Sequence, residues 1–137
     1  MRDRKLAVLR VLVIDDYVPA TMAIAQLLRI AGYVVATSYT ADNIVQVAVE
    51  FQPAVVLLDI SLKGPDDGLA VAGLLRAEPR LSGIVLVAMT GRHDAELETQ
   101  IEAAGFDHYL LKPVGFDEID AILSATPERG APGTKGP

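Results

Sequence analysis

No cysteine occurs in the 137 residues, which excludes disulfides, a thiolate nucleophile and every cysteine-ligated metal. With only two histidines, an all-histidine zinc site is also out of reach. Basic residues are in the minority: Lys plus Arg is 12 against 18 for Asp plus Glu, a net charge of −6. So acidic a chain repels phosphate backbones, and direct nucleic-acid binding is not expected of it. No apolar run approaches the roughly 18–20 residues that cross a bilayer, so no membrane partner is expected. The charged start Met1-Arg2-Asp3-Arg4-Lys5, with Arg10 behind it, has no signal-peptide pattern, and the expected location is cytoplasmic. What is present is 51% hydrophobic and 22% charged residues, the composition of one globular domain with a single core.

Short apolar runs alternate with longer amphipathic stretches. Arg10–Ile14, Tyr33–Ser38, Ala54–Leu58, Gly83–Met89 and Asp107–Leu111 read as strands. Runs apolar on consecutive positions suit strands buried on both faces. Helical spacing follows each one. Pro19–Ala31 opens with a proline and stops at Gly32; a second helix is capped by Thr40 and ends before Pro53. A third reaches Glu78, a fourth covers Asp94–Ala104, and a fifth covers Gly115–Leu123. The tail from Thr126 to Pro137 is rich in Pro and Gly and is expected to be disordered, leaving one domain over 1–125 with its core at 10–124.

Five β-α units of this kind predict an α/β fold: a flavodoxin-like (βα)5 open parallel sheet, strand order 2-1-3-4-5, with helices on both faces. A closed eight-fold barrel needs about 250 residues. In an open sheet the ligand site lies at the carboxyl ends of the strands, beside the switch point. Those ends carry Asp15-Asp16, Asp59, Thr90-Gly91 and Lys112-Pro113. Taken singly, each has an ordinary reading: a helix cap, a turn residue, a solvated lysine. Falling together at one end of the sheet, they are three converging carboxylates, an ammonium, a hydroxyl and a backbone amide left open by Gly91. An all-oxygen donor set suits a hard cation, Mg²⁺ first and Mn²⁺ as the alternative. Cation, ammonium, hydroxyl and amide together suit a phosphoryl group.

The ordered set Val11-Leu-Val-Ile-Asp-Asp16, Val55-Val-Leu-Leu-Asp-Ile60, Asp67-Gly-Leu69, Ala88-Met-Thr-Gly91, Ala104-Gly-Phe-Asp107 and Tyr109-Leu-Leu-Lys-Pro113 resembles the CheY-like receiver domain of two-component response regulators. The resemblance implies that Asp59 is the phosphoacceptor, taking a phosphoryl group from a phosphohistidine of a sensor histidine kinase or histidine phosphotransfer protein. It also implies catalysis only of the domain's own phosphorylation and dephosphorylation, not a conventional enzyme. Asp15, Asp16 and Asp59, with the Ser61 backbone carbonyl, would hold the metal. Thr90 and Lys112 would contact the phosphoryl, as would the backbones of Ile60 and Gly91. Thr90 and Tyr109 would form the switch, and Pro113 would follow a cis peptide bond. Departures are a 59–68 loop longer by one residue, Lys63 where proline is frequent, Arg92 at a variable position, and Gly115 where a capping Asp or Asn is better. The face that would report phosphorylation, built from the fourth helix, fifth strand and fifth helix, is acidic: Asp94, Glu96, Glu98, Glu102, Asp117, Glu118 and Asp120. It suits either solvation or a basic protein patch, and points to a monomer or weak dimer with an unknown downstream protein. With only a short tail after Leu123, a stand-alone regulator or a receiver excised from a hybrid kinase is expected. An aspartyl-phosphate phosphohydrolase is disfavoured, because neither Tyr17 nor Ser61 supplies the second acid of Asp-x-Asp-x-Thr. A nucleotide-binding fold is disfavoured because no Gly-x-Gly-x-x-Gly or Walker loop occurs.

Overall fold

A computed structural model describes residues 8–62 and 67–127. Lys63 and the rest of the loop expected to be lengthened, at 63–66, lie outside the described residues, as do 128–137 of the expected tail. Five strands alternate with five helices: β1 (Arg10–Ile14), α1 (Val18–Ile30), β2 (Val34–Ser38), α2 (Ile44–Phe51), β3 (Val55–Asp59), α3 (Gly68–Ala77), β4 (Val85–Thr90), α4 (Ala95–Ala103), β5 (His108–Leu111) and α5 (Phe116–Ala125). All strand pairs are parallel, in the order β2-β1-β3-β4-β5, as the alternation predicts.

The strands are apolar on consecutive positions because both sheet faces are covered. Leu12, Ile14, Val56, Leu58, Leu86 and Ala88 pack with Ile44, Ala48, Val71, Leu75, Leu97 and Ile101 of α2, α3 and α4. The intervening Val11, Val13, Val55, Leu57, Val87 and Met89 pack with Ala25 and Leu28 of α1 and Ile119 and Leu123 of α5. Each two-residue period thus feeds two separate apolar layers. No helix among the described residues is long and apolar enough to cross a membrane.

Three local details differ from the sequence reading. Thr40 does not cap α2. Its hydroxyl accepts from the Asp42 N–H (3.1 Å), and Asn43 takes a left-handed conformation (φ 55°), so the helix starts only at Ile44. A short 3-10 turn, Pro79–Leu81, follows α3, with the Glu78 carboxylate capping its Arg80 N–H. Thr126, at the head of the expected tail, closes α5: its N–H donates to Leu123 O and its hydroxyl to Ile122 O. Gly32 ends α1 at φ +106°, a conformation that favours glycine.

Candidate functional site

β1 and β3 are neighbours, while α1 and α3 leave them toward opposite faces of the sheet. The crevice this opens holds the acids. Asp15 continues the β1–β2 ladder by one rung, its N–H donating to Ser38 O (3.1 Å). Its side chain is turned back into the crevice, where Oδ1 accepts from the Tyr17 N–H (3.0 Å). Asp59 is the last residue of β3. Both are 2% exposed, and oxygens of Asp15, Asp16 and Asp59 lie within 4.8 Å of one another.

Lys112 reaches the same point from the end of β5. Its Nζ is 3.1 Å from Asp59 Oδ1 and 3.3 Å from Asp15 Oδ2. Its backbone N–H donates to Thr90 O (2.7 Å), tying the end of β5 to β4. The Lys112–Pro113 bond is cis, in accord with the expectation for Pro113. One ammonium against three carboxylates leaves the cluster net negative. Burial raises the pKa of Asp15, and the Asp59 charge adds to the rise against the Tyr17 N–H and the lysine. Desolvation works against the Lys112 ammonium, but its bond to Asp59 and both carboxylate charges outweigh it and raise its pKa.

The remaining expected residues divide. The Ser61 N–H and hydroxyl both donate to Asp59 Oδ1 (3.0 Å each). The Ile60 N–H, expected to face a phosphoryl group, instead donates to Met89 O (2.9 Å). It extends the β3–β4 ladder by one rung, so the amide turned to the carboxylate is that of Ser61. Thr90 is buried, yet its hydroxyl donates to Arg92 O (2.9 Å) and accepts from Arg92 N–H (3.1 Å). Gly91 is exposed, and a Cβ there would meet nothing within 4 Å. Tyr109 stands apart from the carboxylates, its hydroxyl donating to Glu98 Oε2 (3.2 Å).

Two supporting residues escape a sequence reading. Thr21 is fully buried, and its hydroxyl reaches Asp15 O (3.1 Å) and Tyr17 O (2.9 Å), fixing the loop that bears the acidic pair. Gly68 opens α3 directly against the end of β3. A Cβ there would strike the Asp59 carbonyl oxygen and lie 2.6 Å from Ile60 Cα. The spacing of Asp67-Gly68-Leu69 marks this position, but the reason for glycine is a contact across the fold.

The acidic face of α4, β5 and α5, expected to report phosphorylation, is less uniform than its sequence. Asp94 caps α4 at the Leu97 N–H and pairs with Arg92, and those two contacts, in that order, lower its pKa. The Glu118 carboxylate accepts from the Gly115 N–H (3.0 Å), one half of a capping box, and Gly115 has no side chain to supply the other half. Asp120 is turned toward the α1–β2 connection, accepting from the Tyr33 hydroxyl (2.7 Å). Glu96, Glu102 and Asp117 are exposed.

Comparison with known proteins agrees with this architecture. The model of the response regulator receiver domain matches residues 11–124. The transcriptional regulatory protein KdpE of Mycobacterium tuberculosis is 40% identical over 120 residues, covering 87% of this chain and 51% of the relative. The phosphate regulon transcriptional regulatory protein PhoB of Pseudomonas aeruginosa is 29% identical, covering 90% of this chain and 53% of its own. The chain therefore spans about half the length of these two regulators. Among solved structures, the chemotaxis protein CheY4 of Vibrio cholerae has the same fold, with a TM-score of 0.81 at 20% identity over 88% of this chain and all of that one. A Burkholderia pseudomallei response regulator, described with a phosphorylated aspartic acid, calcium ion and citrate, gives a TM-score of 0.75 at 27% identity over 85% of this chain and 66% of its own. With its family model spanning nearly all of the described residues, this chain belongs to the response regulator receiver domains of two-component signalling.

Proposed function

We propose that the domain takes a phosphoryl group on Asp59 from a phosphohistidine and passes the event to its surface as a change of conformation. The observation that carries this reading is the convergence of Asp59, Asp15, Asp16 and Lys112 at the carboxyl ends of β1, β3 and β5. The Burkholderia relative, described with a phosphorylated aspartic acid and a calcium ion, supports the aspartyl phosphate and a cation beside it.

Receiver domains bind Mg²⁺ at an acidic pocket, and the donor set here fits such an ion. It is all oxygen, net negative and buried enough to raise the Asp15 pKa. Asp15, Asp16, Asp59 and the Ser61 carbonyl would hold it, and the bound cation would screen charge between the carboxylates and the incoming phosphoryl. Asp59 Oδ1 already takes three donors, from the Ser61 N–H, the Ser61 hydroxyl and Lys112. Its partner Oδ2 is then the attacking oxygen. The O–P bond forms as the P–N bond to the donor imidazole breaks, with no proton moved to or from Asp59. Lys112 neutralises the equatorial oxygens, and Ser61, rather than Ile60, offers the backbone amide beside them. Thr90 must release Arg92 before its hydroxyl proton reaches the phosphoryl, which makes its rotation the first step of the switch.

A histidine kinase or histidine phosphotransfer protein is the proposed donor. A basic protein surface is the proposed receiver of the signal, on the acidic surface that Glu96, Glu98 and Glu102 leave along α4. The domain's own charge argues against direct contact with nucleic acid. Its transcriptional relatives are about twice as long as the segment they share with it, so that statement is confined to this domain. The test is exposure to a small-molecule phosphodonor with Mg²⁺. One phosphoryl mass per chain is expected, lost in chelator and in Asp59→Asn. Uptake unchanged by either treatment would refute the reading.

A further inference from the structure

Beyond the carboxylate crevice, His93, Glu98 and Tyr109 form a cluster that the chemistry above leaves unused. They come from three elements: the β4–α4 loop, α4 and β5. The Tyr109 hydroxyl donates to Glu98 Oε2 (3.2 Å). The His93 ring stacks on the Tyr109 ring, with centroids 5.6 Å apart and planes at 21°. His93 Nε2 lies 3.8 Å from Glu98 Oε1.

This cluster is joined to Thr90 by the shortest possible route. The Thr90 hydroxyl holds Arg92 through both its N–H and its carbonyl, and His93 is the next residue. The hydroxyl has one proton, and Arg92 O takes it. If that proton goes to a new acceptor at Asp59, the 90–92 turn loses its clasp, and the segment that presents His93 to Tyr109 is released. Tyr109 also pairs in register with Ala88 of β4. Ala88, Thr90 and Tyr109 share one face of the sheet by the two-residue period, and Ala88 fills little of the space between the other two.

We propose that His93 and Glu98 are positioning residues, a latch that holds Tyr109 at the surface until the Thr90 hydroxyl leaves Arg92. The inference rests on the phosphoacceptor reading of Asp59 and adds to it the side chains that set the resting state. Contacts present only in the resting state oppose the activated one, so loosening them favours whatever binds the activated form.

Beryllofluoride with Mg²⁺ serves as the phosphoryl mimic, read by its affinity for the full chain and by the ring resonances of Tyr109. Glu98→Ala should bind it about threefold more tightly than wild type, the scale of one solvent-exposed hydrogen bond. The same variant should shift the Tyr109 ring resonances before any mimic is added. Glu98→Gln keeps an acceptor oxygen and should restore wild-type affinity; a role in stability alone would not produce that rescue. His93→Ala should change affinity in the same direction as Glu98→Ala. Combining Glu98→Ala with Tyr109→Phe should add nothing to either single change, since both remove the same bond. Unchanged affinity in Glu98→Ala, or failure of Glu98→Gln to restore it, would overturn the latch while leaving the phosphoacceptor reading in place. A wild-type chain that binds no beryllofluoride would overturn that reading, and the latch with it.

Discussion

Two glycines near the site should respond in opposite ways to one methyl group. Gly68 is buried at the start of α3, and its N–H donates to Ile60 O (3.0 Å). A Cβ there would strike the Asp59 carbonyl oxygen and lie 2.6 Å from Ile60 Cα and 3.0 Å from Asp59 C. Every one of those atoms is backbone, so no flexible side chain can swing aside. Either α3 or the end of β3 must shift, and overpacking of that kind costs about 2 kcal/mol. For a domain of this size that is a fall in melting temperature of about 6–8 °C. At Gly91, by contrast, a Cβ meets nothing within 4 Å, and Gly91→Ala should stay within about 0.5 kcal/mol of wild type. Urea unfolding of the two variants beside wild type, with the slope checked for constancy, measures both values. Because the displaced atoms belong to Asp59 itself, Gly68→Ala should also slow phosphoryl uptake in conditions where the chain is fully folded. A Gly68→Ala variant as stable as wild type would show that α3 does not press on β3 as described.

Mg²⁺ in the millimolar range should raise the melting temperature of wild type and leave Asp16→Asn unmoved, as expected if only the folded site binds it. In chelator, Asp59→Asn should melt above wild type by about 3 °C, since it relieves repulsion among buried carboxylates; a lower melting point would make Asp59 a structural group. The Arg80 side chain, then its backbone N–H, lowers the pKa of Glu78 to about 2. A depressed carboxylate pKa stabilises the fold above the unfolded value and is lost as pH falls through the folded one. Glu78→Gln should therefore be less stable than wild type at neutral pH and converge with it between about pH 4.5 and pH 2, as pH-dependent urea midpoints would show. Arg76 donates to Gly105 O (2.9 Å), Ile84 O (2.8 Å) and Asp107 Oδ2 (2.7 Å) at the opposite end of the sheet from the carboxylates. Arg76→Ala should cost about 2 kcal/mol in urea unfolding without changing phosphoryl uptake per folded chain.

The sheet was legible because its strands are apolar without alternation. Val11-Leu12-Val13-Ile14 and Val55-Val56-Leu57-Leu58 leave no polar face, which requires helices on both sides, and the two packed layers contain those residues in alternation. The convergence of Asp15, Asp16, Asp59 and Lys112 was legible for a related reason: once strand order is known, residues at strand ends become neighbours. What escaped the sequence depends on contacts between distant segments. The Ile60 N–H is committed to Met89 by an extra rung of the ladder, which no local pattern encodes. Asn43 delays α2 through a left-handed residue, where Thr40 offered an equally good local cap. Asp120 belongs to an acidic run in sequence but faces Tyr33 across the α1–α5 side. Glu98 and His93 are ordinary surface residues until β5 brings Tyr109 between them.

Asp59, and no other carboxylate, is the proposed carrier of the phosphoryl group. The most direct measurement is to treat the chain with a small phosphodonor and Mg²⁺, trap the acyl phosphate by hydride reduction and map the reduced residue by peptide sequencing. The label is expected on Asp59 alone, with Asp15 and Asp16 unmodified. Label on Asp15 or Asp16, or an unmodified Asp59 in a fully folded, Mg²⁺-bound protein, would contradict it.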